Sequence, residues 1–201
     1  MEKKASQRSD AEIVRQVIDG EVNAFEHLLL RYEKYVLNIA RRHVPSDHVE
    51  DTTQDVFIRA YQALPGFKGK GPFQQWLSRI AVRTCYDFWR RRYRLREVAM
   101  SDLSQRHQEW LEEVLSKQAD NALSGEDVRK EATELLDWAL GKLSAEDRMV
   151  LELVYLEGRS GKEAADLLGW SVANVKVRSF RSRKKLEKLL QGVMQEGRRA
   201  P

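Results

Sequence analysis

Apolar residues recur at helical spacing along most of this chain, and alternating strand-like runs are scarce, so the pattern predicts helices throughout. Ser9-Asp10-Ala11-Glu12 ahead of Ile13, Val14, Val17 and Ile18 reads as a short capped helix, broken at Asp19-Gly20. Phe25, Leu28, Leu29, Tyr32, Val36, Ile39 and Ala40 mark a long amphipathic helix that stops near Pro45. A third helix is predicted from about Ser46 to Leu64, with Val49, Thr53, Val56, Phe57, Ala60 and Leu64 on its apolar side and Pro65-Gly66 at its end. A fourth begins near Pro72, a residue suited to a first helical turn, and buries Phe73, Trp76, Leu77, Ile80, Ala81, Thr84 and Phe88.

Residues 143–188 read as a helix-turn-helix ending in a basic helix. Ser160-Gly161-Lys162-Glu163 is a capping box that opens a short helix through Leu168. Gly169 supplies the positive φ of the turn, and Ser171 can cap the next helix. Ala165, Gly169 and Val175 then sit where two sharply angled helices need a small, a permissive and an apolar residue. Val172, Val175, Leu186, Leu189 and Val193 are predicted to face a core, while Asn174, Arg178, Arg181 and Lys185 form a separate stripe.

Charge sharpens this picture. From Lys176 to Lys188 there are seven Lys/Arg against Glu187, a net +6. Arg can grip phosphate or the guanine edge with two parallel hydrogen bonds, and Lys pairs with phosphate as a point charge. Arg79 to Arg96 holds seven Arg against Asp87, again +6, whereas Glu97 to Asp137 is net −7 (eleven acids, four bases). Two basic blocks around an acidic middle suggest two nucleic-acid contacts joined by a connector that avoids DNA. Within the first block Arg79, Arg83, Tyr86 and Arg90 line one face, and Trp89 and Tyr93 interleave with Arg90-Arg91-Arg92. Aromatics beside cations suit single-stranded nucleic acid, where bases stack on rings while Arg and Lys hold phosphate. On the third helix Asp51, Gln54, Asp55 and Arg59 form a polar face that by itself reads as plain solvation.

At 201 residues the chain has room for two small domains, and its four prolines fit an all-α protein. The single cysteine, Cys85, excludes an internal disulfide framework, fits a reducing compartment and reads as a small buried hydrophobe. The N-terminus lacks the apolar stretch of a secretory signal, and no run approaches membrane-spanning length. No catalytic motif, phosphate-cradling glycine loop or cofactor signature stands out, so neither an enzyme nor a cofactor is expected. His27, His43, His48 and His107 lack metal-ligand spacing; His43 and His48 with Asp51 straddle the Pro45 break, and no metal site is expected.

Together the two halves resemble an extracytoplasmic-function (ECF) sigma factor of bacterial RNA polymerase. In the first half the resemblance rests on Glu50-Asp-Thr-Thr-Gln-Asp-Val-Phe-Ile-Arg-Ala-Tyr61, Phe67, Phe73-Gln-Gln-Trp-Leu-Ser-Arg-Ile-Ala81, Asp87 and Arg90-Arg91-Arg92, similar to the family's region 2. In the second it rests on Leu143, Ser144, Arg148, Gly158, Glu163-Ala-Ala165, Val175-Lys176, Arg178, Arg181 and Arg183, similar to region 4. The resemblance implies a region 2 bundle over 1–96, an acidic linker over 97–132 that threads near the polymerase RNA-exit path, and a region 4 helix-turn-helix over 133–201. It implies that Asp51, Gln54, Asp55 and Arg59 dock on the β′ clamp of core polymerase, with region 4 near the β flap. Phe67 and the loop to Phe73, with Arg79, Arg83, Tyr86, Trp89 and Arg90, would engage the opened −10 element, where a base is flipped out. Asn174, Lys176, Arg178, Phe180, Arg181 and Lys185 would contact the −35 element. Arg83 stands where many members carry Asn, Ser144 replaces a common Pro, Asn174 a usual Thr and Val177 a small polar residue. The resemblance further implies a cytoplasmic protein restrained by an anti-sigma factor, which is often membrane-bound, with no direct membrane insertion of its own. Two other readings compete: a dimeric DNA-binding regulator with an N-terminal dimerisation domain, and an adaptor that binds protein through its acidic helices. The Arg/aromatic block favours the sigma reading, since a double-strand regulator has no need of a stacking platform.

Overall fold

The computed structural model describes residues 8–98 and 125–196, and every regular element among them is helical. By Cα proximity residues 8–89 and 165–171 form one compact unit, and residues 90–98, 125–164 and 172–196 belong to the other. Of the expected acidic linker, 99–124 lie outside the described residues, while 97–98 and 125–132 are helical.

The first unit is built on α1 (Asp10–Ile18), α2 (Phe25–His43), α3 (Val49–Ala63) and α4 (Phe73–Val98). The predicted cap of α1 is present: the Glu12 amide donates to Ser9 Oγ at 3.3 Å, and the Ser9 amide donates to Glu12 Oε2 at 2.8 Å. Asp10 ties α1 to α2 by accepting from Arg31 and, at 2.5 Å, from the Tyr32 hydroxyl. Burial and that hydrogen bond push the Tyr32 phenol up to about 12. α2 ends as Val44 turns extended (φ −129°, ψ 155°), the conformation that a following proline imposes. The stretch expected to open the third helix, Ser46–His48, is a 3₁₀ turn, and α3 proper starts at Val49. Another 3₁₀ turn, Leu64–Gly66, closes it.

The core of this unit gathers Ile13, Leu28, Val36, Val56, Leu64 and Leu77, each at most 1% exposed. Every residue assigned to the apolar side of the third helix is buried, and Cys85 is buried as expected. Ile18 departs from expectation at 49% exposed; it is the last residue of α1 and extends past the core that takes up Ile13, Val14 and Val17.

In the C-terminal half, α5 (Gly125–Gly141) leads to α6 (Ala145–Leu151), which widens into a π-helical turn at Glu152–Leu156. α7 (Gly161–Leu168) and α8 (Val172–Glu196) follow. Ser144 caps α6, accepting from the Asp147 amide at 3.2 Å. Leu140, Leu143 and Leu151 pack with Leu136, Leu186 and Leu189, which fixes α8 against α5 and α6.

Candidate nucleic-acid interface

The helix-turn-helix forms as its sequence signals require. At the start of α7 the Ser160 amide donates to Glu163 Oε2 (2.9 Å) and the Glu163 amide to Ser160 Oγ (3.2 Å). At its end the amides of Gly169 and Trp170 both donate to the Ala165 carbonyl at 2.9 Å, a Schellman closure that needs Gly169 at φ +73°.

α8 then separates its faces. Val175, Ser179 and Ser182 are buried, and Leu186 and Leu189 are half-buried on the same side. Val172, expected in the core, is 52% exposed, because as the first residue of α8 it precedes the turn that packs. Opposite the buried side stand Lys176, Val177, Phe180, Arg181, Lys184 and Lys188, all exposed, with Asn174 beside them. The Lys184 ammonium lies 4.7 Å from the centre of the Phe180 ring, a cation–π contact that steadies an otherwise bare aromatic.

Arg178 and Lys185, expected among the DNA-facing cations, are turned toward Asp147 of α6. The Asp147 carboxylate, 3% exposed, accepts from Arg178 Nη1 (3.1 Å) and Ser182 Oγ (2.8 Å) on Oδ1 and from Lys185 Nζ (2.5 Å) on Oδ2. Burial works to raise its pKa, but the Lys185 and Ser182 hydrogen bonds and the charges of Lys185 and Arg178 outweigh it, leaving the carboxyl below the ordinary 3.8. The sign follows: stability from this group is complete above the unfolded-state value and is lost as pH falls through the lower folded one. Acid unfolding of the C-terminal unit should therefore steepen below about pH 3.8. In Asp147→Asn that part of the slope should vanish when amide exchange in α6 is followed against pH.

On α4, Arg79, Arg83, Tyr86 and Arg90 share one face, at intervals of four, three and four residues. Arg83 and Arg90 are exposed, Arg79 and Tyr86 half-buried. Trp89 is not on that face. It is 6% exposed, its indole N–H donates to the His43 carbonyl at 2.6 Å, and its ring meets Phe88 edge-on at 5.3 Å. That burial leaves no ring face for the expected stacking role: one residue before Arg90 on a helix is a 100° turn away, which puts Trp89 with Val82 and Cys85 in the core. Phe67 anchors the loop ahead of α4, its ring 5.5 Å from Phe73 and 5.2 Å from Trp76. The same loop leaves Lys68 and Lys70 exposed, with Gly69 at φ +64° between them.

On α3, Asp51 and Gln54 are exposed, and Asp55 is half-buried. Arg59, half-buried like Asp55, forms an ion pair with Asp87 of α4 at 2.7 Å.

Comparison with known proteins agrees with this arrangement. The Sigma-70 region 2 family model matches residues 28–95, and the Sigma-70 region 4 family model matches 133–186. The ECF RNA polymerase sigma-E factor of Escherichia coli K12 is 31% identical over 193 residues, covering 93% of this chain and 97% of the relative. The chain belongs to the ECF sigma factors. The sigma-E factor of Haemophilus influenzae is 28% identical over 201 residues, covering 94% of this chain and all of the relative. A solved structure, CnrH in complex with the cytosolic domain of CnrY, is 30% identical with a TM-score of 0.50, covering 91% of this chain and 97% of CnrH.

Sigma factors are non-enzymatic initiation factors that bind core RNA polymerase and direct it to promoters, so core polymerase and promoter DNA are this sigma factor's partners. Among its described residues no helix is long and apolar enough to cross a membrane. Three charged residues of region 4 form buried pairs behind this interface that spacing along the chain did not indicate: Asp147, Arg148 and Glu152. Arg148 Nε donates to Glu152 Oε1 at 2.7 Å, with the two side chains 9% and 4% exposed. The signal lay in the sequence, where Glu152 interrupts the apolar run Met149-Val150-Leu151 and Leu153, and Asp147-Arg148 directly precede it, at positions that a solvated face does not explain.

Proposed function

We propose that the exposed face of α8 reads the −35 element, that the Arg79/Arg83/Tyr86/Arg90 face with the Phe67 loop holds the opened −10 strand, and that Asp51 and Gln54, beside Asp55, dock on core polymerase. The observation that carries this reading is the division of α8: its buried side is filled by small and apolar residues, and its outer side is left with Lys176, Arg181, Lys184 and Lys188. A helix-turn-helix recognition helix enters the major groove with its N-terminal residues near base edges, and later basic residues run along the backbone. Arg181 is thus the base reader, with Lys176 and Phe180 beside it, and Lys184 and Lys188 contact phosphate. Asn174 flanks them. Arg178 approaches the bases from the Asp147 side, and Lys185 acts mainly through its own pair with Asp147.

On the −10 side, Arg79, Arg83 and Arg90 hold phosphate and Tyr86 offers a ring for one base, with Lys68 and Lys70 at the loop. Arg59 steadies the edge of the polymerase-facing helix through its pair with Asp87. We further assign residues 1–96 to region 2, 97–132 to the connector and 133–201 to region 4. The chain acts without catalysis of its own, in the cytoplasm. The complex of CnrH with the cytosolic domain of CnrY supports control of this chain by an anti-sigma partner, since CnrH is alike over nearly its whole length.

The polymerase assignment is tested by reversing one exposed charge. Asp51→Arg should cost less than about 1 kcal/mol of stability, because the group is exposed and loses only its favourable place in the first turn of α3. A like-charge clash across an interface costs several kcal/mol, so affinity for core polymerase should fall roughly tenfold or more. A titration of labelled sigma into core polymerase with unchanged affinity would return Asp51 and Gln54 to an ordinary solvated face.

A further inference from the structure

Asp147 is nearly inaccessible to solvent, so it is not itself a DNA contact, yet all three of its side-chain partners lie on the helix proposed to read DNA. Those partners, Arg178, Ser182 and Lys185, are spaced four and three residues apart along one side of α8, so they span two helical turns. A single carboxylate holding donors two turns apart fixes both the rotation of α8 about its axis and its height against α6. It also selects one arrangement of Arg178. Nη1 is committed to Asp147 Oδ1 while the side chain as a whole stays 35% exposed, so the guanidinium is oriented at the edge of the outer face and not buried. Arg181, one turn further along, stands exposed on the neighbouring strip.

We propose that Asp147 is a positioning residue for −35 recognition: it sets the orientation in which the half-exposed Arg178 guanidinium meets a base. Arginine reads guanine through a planar fork, so its selectivity depends on where that plane points, and an arginine whose rotamer is already set loses less freedom on binding. Lys185 has a different part in the same cluster. Its ammonium neutralises the second carboxylate oxygen and thereby keeps the buried charge tolerable next to Arg178. The inference rests on the proposed approach of Arg178 to the −35 bases.

The test uses reconstituted holoenzyme and two duplex promoter fragments that differ only in the −35 element, one cognate and one substituted at the bases nearest α8. The readout is the ratio of the two affinities. Both are measured on one preparation, so an inactive fraction lowers both alike and cancels. Arg178→Ala and Asp147→Asn should each lower this ratio by roughly five- to tenfold, and the double variant should be no worse than Arg178→Ala alone, the coupling expected of residues acting as one unit. Lys185→Met should leave the ratio within about twofold of wild type, because it removes a charge-balancing group and not the orienting one. Asp147→Glu, which keeps the carboxylate, is the second variant should the amide fail to fold; it should hold the ratio above that of Arg178→Ala. The inference is overturned if Asp147→Asn keeps the wild-type ratio while Arg178→Ala lowers it, if the two losses multiply in the double variant, or if Asp147→Glu discriminates no better than Arg178→Ala. An Arg178→Ala holoenzyme with the wild-type ratio would instead remove Arg178 from the −35 contacts, and the inference with it.

Discussion

Arg148→Ala is expected to destabilise the C-terminal unit by about 3–5 kcal/mol, the cost typical of breaking a buried ion pair from one side. Glu152 is 4% exposed and loses the guanidinium that donates to it at 2.7 Å. Asp137, 3.4 Å from the same guanidinium, is 66% exposed and can turn to water, so it adds little. The decisive comparison is with Arg148→Met/Glu152→Leu. Removing both charges and filling the space with apolar side chains abolishes the desolvation problem together with the attraction, and such exchanges are often neutral or stabilising. Amide exchange in α6 and α8 of the full chain separates this unit from the rest of the molecule. The single variant should lose most of its protection there and the double variant should recover it. Equal loss in both would mean that the pair contributes through shape and not through charge.

Arg181→Ala carries the second large effect, on binding. Arg181 is exposed on the outer face of α8, and no part of the core rests on it, so the fold should be untouched. A base-reading arginine contributes on the order of 1–3 kcal/mol of discrimination, so the holoenzyme should bind cognate −35 DNA more weakly while its affinity for substituted −35 DNA changes little. Lys188→Ala should behave differently. A phosphate contact carries no sequence information, so its loss weakens all duplexes alike and makes the salt dependence shallower by about one unit. If Arg181→Ala instead lowers affinity equally on both DNAs, Arg181 is a backbone contact, and sequence reading falls to its neighbours.

The elements were legible in this sequence because their signals are local. The boxes Ser9/Glu12 and Ser160/Glu163, the positive-φ glycine at 169 and the extended residue before Pro45 each act over a few residues. Periodicity marks which side of a helix is buried only where a partner covers it. Hence Ile18 and Val172, terminal residues in phase with their cores, are exposed. The α4 face at 79, 83, 86 and 90 was legible from spacing, but Trp89 was assigned by its company among arginines, although its angular position places it with Cys85. The largest gap is long-range polar pairing. That Arg59 meets Asp87, and that Asp147 gathers Arg178, Ser182 and Lys185, depends on how helices far apart in sequence come together, and no local pattern encodes it. Two of the cations assigned to the −35 stripe are in this way already partnered within the protein.

The central claim, that this chain gives core RNA polymerase its promoter specificity, is tested most directly by reconstituted initiation. Purified core polymerase and this chain alone are incubated with fragmented genomic DNA, and transcript 5′ ends are mapped. New start sites that share one −35 and one −10 element should appear, with the −35 preference relaxed in Arg181→Ala. Start sites indistinguishable from those of core polymerase without the added chain would contradict that claim.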